Sequence, residues 1–280
     1  MKKILLAVMA HPDDESFGMG GTLALYSKLG VEVHLICATK GEVGEVPEEM
    51  LEGFKSVADL REHELACAAQ ELGLKKVHFL GYRDSGMPGS KDNDHPNALV
   101  KAPMNEVAQK IALLMRQIQP QVVVTFDPIG GYMHPDHIAV HNACVAAYKI
   151  SSDESVDLNG SHPFMPSKLY FHIFPRGLLK YVVKLMPLIG KDPTKFGKNG
   201  DIDLASIMSQ NFPTHARINY RKVANQRENA SACHASQGGD RQSGYILTWI
   251  IRQFSSTESY MRADPSPEGR KLERDLFAGL

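Results

Sequence analysis

Residues 3–15 read KILLAVMAHPDDE, and this stretch decides the fold. Lys3 to Met9 is a short apolar run of the kind expected of a strand buried on both faces. It breaks directly into His11, Pro12, Asp13, Asp14 and Glu15. Met1 to Ala10 imitates a secretory leader, with two lysines, an apolar run and a small residue. The run from Ile4 is at the short limit for such a segment, and charged residues follow at once. A buried first strand that ends in a polar loop explains the same letters better.

Outward from that strand the pattern repeats. Gly20 to Leu29 reads as a helix closed by Gly30, and Val31 to Ala38 (VEVHLICA) as the next strand. Val57 to Leu72 is an amphipathic helix, with Leu60, Leu65, Ala68, Ala69 and Leu72 near helical spacing. Lys76 to Leu80 is a third strand, Met104 to Ile118 a helix stopped before Pro120, Val122 to Phe126 a fourth strand, and Asp136 to Lys149 a further helix. Strand–helix alternation of this kind predicts a mostly parallel sheet between two helical layers, a Rossmann-like three-layer α/β sandwich. Ligands in such sheets bind beyond the carboxyl ends of strands. We expect a single domain over residues 1–280. Residues 1–150 form the core with the site, and 151–280 a cleft-shaping insertion and a C-terminal elaboration. In that second half Leu169 to Phe174 reads as a fifth strand and Ala216 to Ser236 as helical. The apolar face of Leu178 to Ile189 is expected to pack on the body or on a second subunit rather than on a membrane surface.

Composition narrows the function classes. The 280 residues are 43% hydrophobic and 22% charged with a formal net charge of -1, the make-up of an ordinary soluble globular protein. No basic stripe marks a nucleic-acid binder, and no run of about 18 apolar residues marks a membrane span. Homo-oligomerisation is left open. Cys37, Cys67, Cys144 and Cys233 lie far apart without a C-x-x-C pair, so they are expected to be reduced thiols in a cytoplasmic protein. Gly18, Gly20 and Gly21 start a dinucleotide-type spacing, but Leu23 stands at the third glycine position. A nucleotide-binding dehydrogenase is therefore disfavoured, and the glycines read as allowing close helix–sheet packing.

The chemistry sits in two clusters. His11-Pro12-Asp13-Asp14-Glu15 follows strand one, and His134-Pro135-Asp136-His137 follows strand four. Either motif alone reads as a capped turn; both at strand ends of one alternating fold argue for a site. A catalytic zinc takes three protein ligands and keeps one position open, which His11, Asp14 and His137 would supply. Two histidines and a carboxylate also suit Fe(II). Such a metal polarises an amide carbonyl and lowers the pKa of its water to about 7. Asp13 is then a candidate general base, and His134 a candidate oxyanion stabiliser or general acid. Asp136 is a candidate to fix a histidine tautomer.

AHPDDE followed by HPDH resembles the LmbE-like, or PIG-L, de-N-acetylases. The resemblance extends to Arg61 and Glu64 in LREHELACAAQELG, to LGYRDSGM (Leu80 to Met87), and to Asp127, Gly130, Gly131 and Tyr132 in DPIGGYMHPDH. It also takes in His234, Ser236 and Gln237 and the ending DLFAGL, and it is closest to the mycothiol-pathway deacetylase and conjugate amidase members. It implies a zinc-dependent hydrolase that removes an acetyl group from an N-acetylglucosamine-type small-molecule conjugate. It also implies His11, Asp14 and His137 at the metal, Asp13 as base and His134 at the tetrahedral intermediate. Tyr132 falls on an oxyanion-assisting position, and Arg61 and Asp84 on substrate-contact positions. No family pattern covers Ser151 to Asn211, which leaves the aglycone side undefined. Two alternatives stay open: an amidase that cleaves a larger amide, such as a thiol S-conjugate of a glucosaminyl compound, and a non-catalytic carbohydrate-binding module.

Overall fold

The computed structural model describes residues 2–173, 183–190, 192–195, 203–239, 256–267, 269 and 271–280. A seven-stranded sheet runs in the order β3-β2-β1-β4-β5-β7-β6. Its strands are β1 (Ile4–Met9), β2 (Glu32–Cys37), β3 (Lys76–Phe79), β4 (Val122–Phe126), β5 (Lys168–Ile173), β6 (Ala216–Asn219) and β7 (Thr257–Asp264). The first five pair in parallel, while β7 pairs antiparallel with both β5 and β6. The expected α/β sandwich with a mostly parallel sheet is therefore the architecture found. The strands that build its centre are buried along almost their whole length, in keeping with runs that do not alternate.

The helices are α1 (Asp14–Lys28), α2 (Val57–Leu72), α3 (Met104–Ile118), the short α4 (Gly130–Met133), α5 (Pro135–Ile150), α6 (Leu204–Ser209) and α7 (Ala224–Cys233). On α3 the buried residues are Val107, Ala108, Ile111, Ala112 and Met115, a stripe at helical spacing that packs on α5. α1 and α2 pack on α7. Ser56 caps α2 by accepting the Asp59 N–H at 3.2 Å. The chain leaves β1 in one direction along the sheet and returns to β4 on its other side, so β1 and β4 are neighbours whose following loops diverge. That crevice is where a doubly wound sheet binds its ligand, and both polar clusters open into it.

Three expectations need correction. The first helix starts at Asp14, six residues before Gly20, because Ser16 and Phe17 donate their N–H groups to the Asp13 carbonyl at 3.0 and 2.9 Å. Ala216 to Ser236 is not one helix: Ala216 and Ile218 face inward and Arg217 and Asn219 outward as strand β6, and the helix begins at Ala224. Cys67 and Cys233 form a disulfide between α2 and the end of α7, so only Cys37 and Cys144 are the buried free thiols expected. Residues 178–182 and Phe174 lie outside the described residues. Val183 and Met186 are buried with Ile207 and Met208 against Ile129, Tyr132 and Met133, as expected for packing on the body. Among the described residues no helix is long and apolar enough to cross a membrane.

Candidate metal centre and active-site cleft

The loop after β1 and the loop after β4 bring three ligand-type side chains together. His11 Nδ1 lies 3.2 Å from His137 Nε2 and 3.5 Å from an Asp14 carboxylate oxygen, and His137 Nε2 lies 3.2 Å from the other Asp14 oxygen. A tetrahedral zinc with bonds of about 2.0–2.1 Å requires ligand atoms about 3.3 Å apart. The three side chains come together at that spacing, with Asp14 turning a different oxygen to each imidazole.

The tautomers make the stronger argument. His137 Nδ1 faces the Gly130 carbonyl at 3.2 Å, and a carbonyl only accepts, so Nδ1 carries the proton. His11 Nε2 faces the Asp136 carboxylate at 3.1 Å and Asp84 at 3.4 Å, so its proton is there. In the neutral rings this leaves two lone pairs, His11 Nδ1 and His137 Nε2, aimed at each other. Such a contact is repulsive unless a cation or proton lies between. Asp136 thus stands where it can fix the tautomer of His11, and the Gly130 carbonyl stands likewise beside His137. Phe126 stacks on the His137 ring at 4.0 Å between centroids and fixes its plane.

The electrostatics agree. Burial opposes a charged His11, yet Asp84, Asp136 and Asp14 raise its pKa well above the usual value. Burial also works against the Asp14 carboxylate, but His137 and His11 hold its pKa well below the ordinary range. The cluster therefore demands positive charge at its centre, and a divalent cation supplies it without protonating a ligand. His134 forms a cluster of mutually close ring nitrogens with His11 and His137, but its hydrogen bonding gives it another task. Its Nδ1 accepts the Asp136 N–H at 3.2 Å and caps α5, so its proton sits on Nε2. Burial, with His11 and His137 adding, pushes its pKa far down and keeps it neutral.

A cleft of about 720 Å³ opens over these groups, walled by Asp13, Arg61, Asp84, Tyr132 and His134 on the inner side and by Glu45 and Gln237 further out. Asp13 has backbone φ 114°, and its side chain accepts from Arg61 Nη2 at 2.9 Å. Burial raises the Asp13 pKa to about 7 against the pull of Arg61. Tyr132 sits between Gly131 and Met133, both at positive φ, with its ring edge-on to His137 at 5.0 Å between centroids. Burial raises its phenol pKa, so it keeps its proton.

A protein-family model described as "PIG-L: GlcNAc-PI de-N-acetylase" matches residues 6–148, the span that holds both loops. The chain is also 34% identical, over 99% of its length and 91% of the other, to a 1D-myo-inositol 2-acetamido-2-deoxy-alpha-D-glucopyranoside deacetylase of Salinispora arenicola. This chain belongs to the PIG-L family. Among solved structures, an N,N'-diacetylchitobiose deacetylase of Pyrococcus horikoshii superposes with TM-score 0.62 at 21% identity, covering 93% of this chain and 83% of that one. A 4-carboxy-2-hydroxymuconate hydratase of Pseudomonas putida does so equally well, with TM-score 0.61, 20% identity and coverage of 96% and 99%. The PIG-L fold alone thus does not fix the reaction, and the side chains at the site must carry that argument.

Within this PIG-L member all nine residues singled out in the sequence gather at the crevice. Arg61, expected at a substrate-contact position, borders the cleft, and its guanidinium also holds Asp13, the Pro12 carbonyl at 2.5 Å and the Gly41 carbonyl at 3.1 Å. Asp84 accepts the Gly86 N–H at 2.8 Å and faces His11. Three residues central to the network were not assigned roles from the sequence. Glu15 accepts from His234 Nε2 at 2.7 Å, with both side chains fully buried. Glu64 accepts from the Ser236 N–H and hydroxyl at 2.8 and 2.7 Å. Asp127 accepts the Ile129 and Gly131 N–H groups at 3.1 and 2.8 Å and shapes the turn that carries Tyr132. Burial works against the charged forms of Glu15 and His234; each nonetheless shifts the other toward its ionised state.

Proposed function

We propose that this protein is a metal-dependent N-deacetylase that hydrolyses the acetamide of an N-acetylglucosamine-type conjugate. The observation that carries the reading is the pair of facing imidazole lone pairs bridged by the Asp14 carboxylate, directly beside the half-buried Asp13 carboxylate in a polar cleft. The relatives' named activity on an acetylated glucosaminyl inositol supplies the substrate class. His11, Asp14 and His137 would hold zinc, with Fe(II) the alternative for the same donors. When bound, such a cation polarises the amide carbonyl and acidifies water.

The chain's own groups do the rest. Asp13 takes the proton of the attacking water; a carboxylate with its pKa near 7 is a competent base at neutral pH. Arg61 keeps that carboxylate aimed and stabilises its ionised form. Neutral His134 donates Nε2–H to the oxygen where negative charge develops, and the Tyr132 hydroxyl is a second donor to the same region. Asp136 and the Gly130 carbonyl keep both metal-facing imidazoles in the required tautomer. Asp84 and the outer wall form the side that receives the sugar. For a cytoplasmic enzyme the Cys67–Cys233 bond must withstand a reducing environment, which a thiol count on freshly extracted protein reads directly.

The test is acetate release from N-acetylglucosamine conjugates by purified protein, with zinc and after chelation, for wild type and Asp13→Ala. We expect chelator-sensitive release and a drop of roughly 10²–10⁴-fold in kcat for the variant with metal retained. Unchanged turnover would remove Asp13 as base. Absence of release from any acetylated sugar by metal-loaded protein would refute the deacetylase reading.

A further inference from the structure

Asp13 presents a contradiction in ordinary helix chemistry. It is the residue before α1, where an aspartate normally turns its carboxylate onto its own helix as a cap. Here it makes no side-chain cap bond and its backbone sits at φ 114°, ψ -30°. Non-glycine residues rarely adopt that conformation, which persists only where neighbours enforce it. The carboxylate is thereby turned away from α1 and toward Arg61.

What enforces it is visible. The Glu15 carboxylate, two residues on, reaches back and accepts the Asp13 N–H at 3.0 Å. The other Glu15 oxygen takes the Ser16 hydroxyl at 2.5 Å and His234 Nε2 at 2.7 Å. Glu15 and His234 are both 0% exposed, so neither touches substrate. Burying a carboxylate is costly unless it is fully partnered. His234 is itself anchored twice to α2: Cys233 before it is bonded to Cys67, and Ser236 after it is clipped to Glu64. The same helix α2 carries Arg61, so Asp13 is gripped at its backbone and at its carboxylate by groups fixed to one element.

We infer that Glu15 and His234 are a positioning pair that holds Asp13 in its strained backbone conformation and so keeps its carboxylate free for the reaction. The inference rests on the reading of Asp13 as the base. Glu15→Ala and His234→Ala are expected to lower kcat at least tenfold, with KM and bound zinc per chain within twofold of wild type. His234→Gln, whose amide nitrogen replaces Nε2, is expected to recover most of the loss; His234→Asn, too short to reach Glu15, is not. In an Asp13→Ala background Glu15→Ala is expected to have no further effect on kcat. An equal loss in that background, a loss fully explained by missing zinc, or unchanged kcat would overturn the inference. Should Glu15→Ala fail to fold, the His234→Gln against His234→Asn comparison decides it: equal kcat in the two refutes the pair. Failure of Asp13 as base is separately visible, because Asp13→Ala alone would then retain turnover.

Discussion

Replacing Gly130 by alanine tests the metal centre without touching a ligand. Gly130 sits at φ +64°, and a Cβ there would lie 2.7 Å from His137 Cβ and 2.9 Å from the Ile138 nitrogen. Relief requires the His137 backbone to retreat by about 0.7 Å to reach ordinary contact. Neither neighbour is the far end of a flexible side chain, so the start of α5 must move. The Gly130 carbonyl also accepts the His137 Nδ1–H, so the substitution disturbs the bond that orients the ring. Metal sites tolerate about 0.2 Å, and loss of an orienting partner typically costs 10–100-fold in affinity. We therefore expect zinc affinity to fall by about 10–100-fold, equivalent to about 1.4–2.8 kcal/mol. Gly160→Ala is the control: φ is +69°, with nothing within 4 Å of the added carbon. It should cost stability of about 1–2 kcal/mol from backbone conformation alone and leave zinc binding unchanged. Competition with a chromophoric chelator measures affinity, and thermal melting of the apo proteins measures stability. Equal zinc affinity in folded Gly130→Ala and wild type would refute the assignment of His137 as a ligand oriented by this turn.

Three further outcomes follow from the same geometry. In Gly41→Ala the new carbon would overlap the Arg61 guanidinium; steady-state kinetics should show kcat reduced by roughly 10²-fold through misplacement of Asp13, and wild-type kcat would count against the Arg61 role. His172 is buried, and desolvation depresses its pKa to about 4 from 6.5. The unfolded chain therefore protonates it first, so its contribution to stability is complete above the unfolded pKa and is lost as pH falls from there toward the folded value. Between about pH 8 and pH 5 that loss is about 2 kcal/mol, and His172→Gln should flatten the urea-derived stability profile by this amount. Parallel profiles would show that His172 does not titrate as argued. Cys67→Ser opens a loop with sequence separation 166, for which chain entropy alone gives up to about 5 kcal/mol. Its melting temperature should fall, as should that of reduced wild type, and no change in either would show that the bond does not contribute.

The legible parts of the fold were those with a strong local period. Val57–Leu72, Met104–Ile118 and Val122–Phe126 have in the structure the bounds that their spacing predicts, because each is a full amphipathic helix or an uninterrupted β-branched run. The start of α1 was hidden because Phe17-Gly18-Met19-Gly20-Gly21 has poor helix propensity; tertiary packing overrides it, with Gly21 flat against the Tyr220 ring and Gly20 beside Leu72. Strand β6 shows clean alternation, but over only four residues beside a longer helical stretch. The proposed metal ligands and Asp13 could be read because they cluster in two short motifs. Glu15 with His234, Glu64 with Ser236, and Cys67 with Cys233 are each more than 160 residues apart. Their partnership is created by the packing of α7 on α1 and α2, for which no local period exists.

The same residues that make the site also start two helices. Asp13 precedes α1 with Asp14 and Glu15 in its first turn, and His134 caps α5 with Asp136 in its first turn. Helix N-termini carry unsatisfied N–H groups and positive partial charge, which favour carboxylates there. The fold thus places its acidic groups where the peptide dipoles offset part of the cost of burying them. The sheet order then sets both helix starts side by side at the ends of β1 and β4. Asp136 shows how tightly the two roles are joined. Its carboxylate accepts the Ser85 N–H at 2.9 Å while holding the His11 ring, so it ties the loop after β3 to the loop after β1 from the start of α5. The helix starts and the sheet order together thus converge the imidazoles of His11 and His137 from two separate loops.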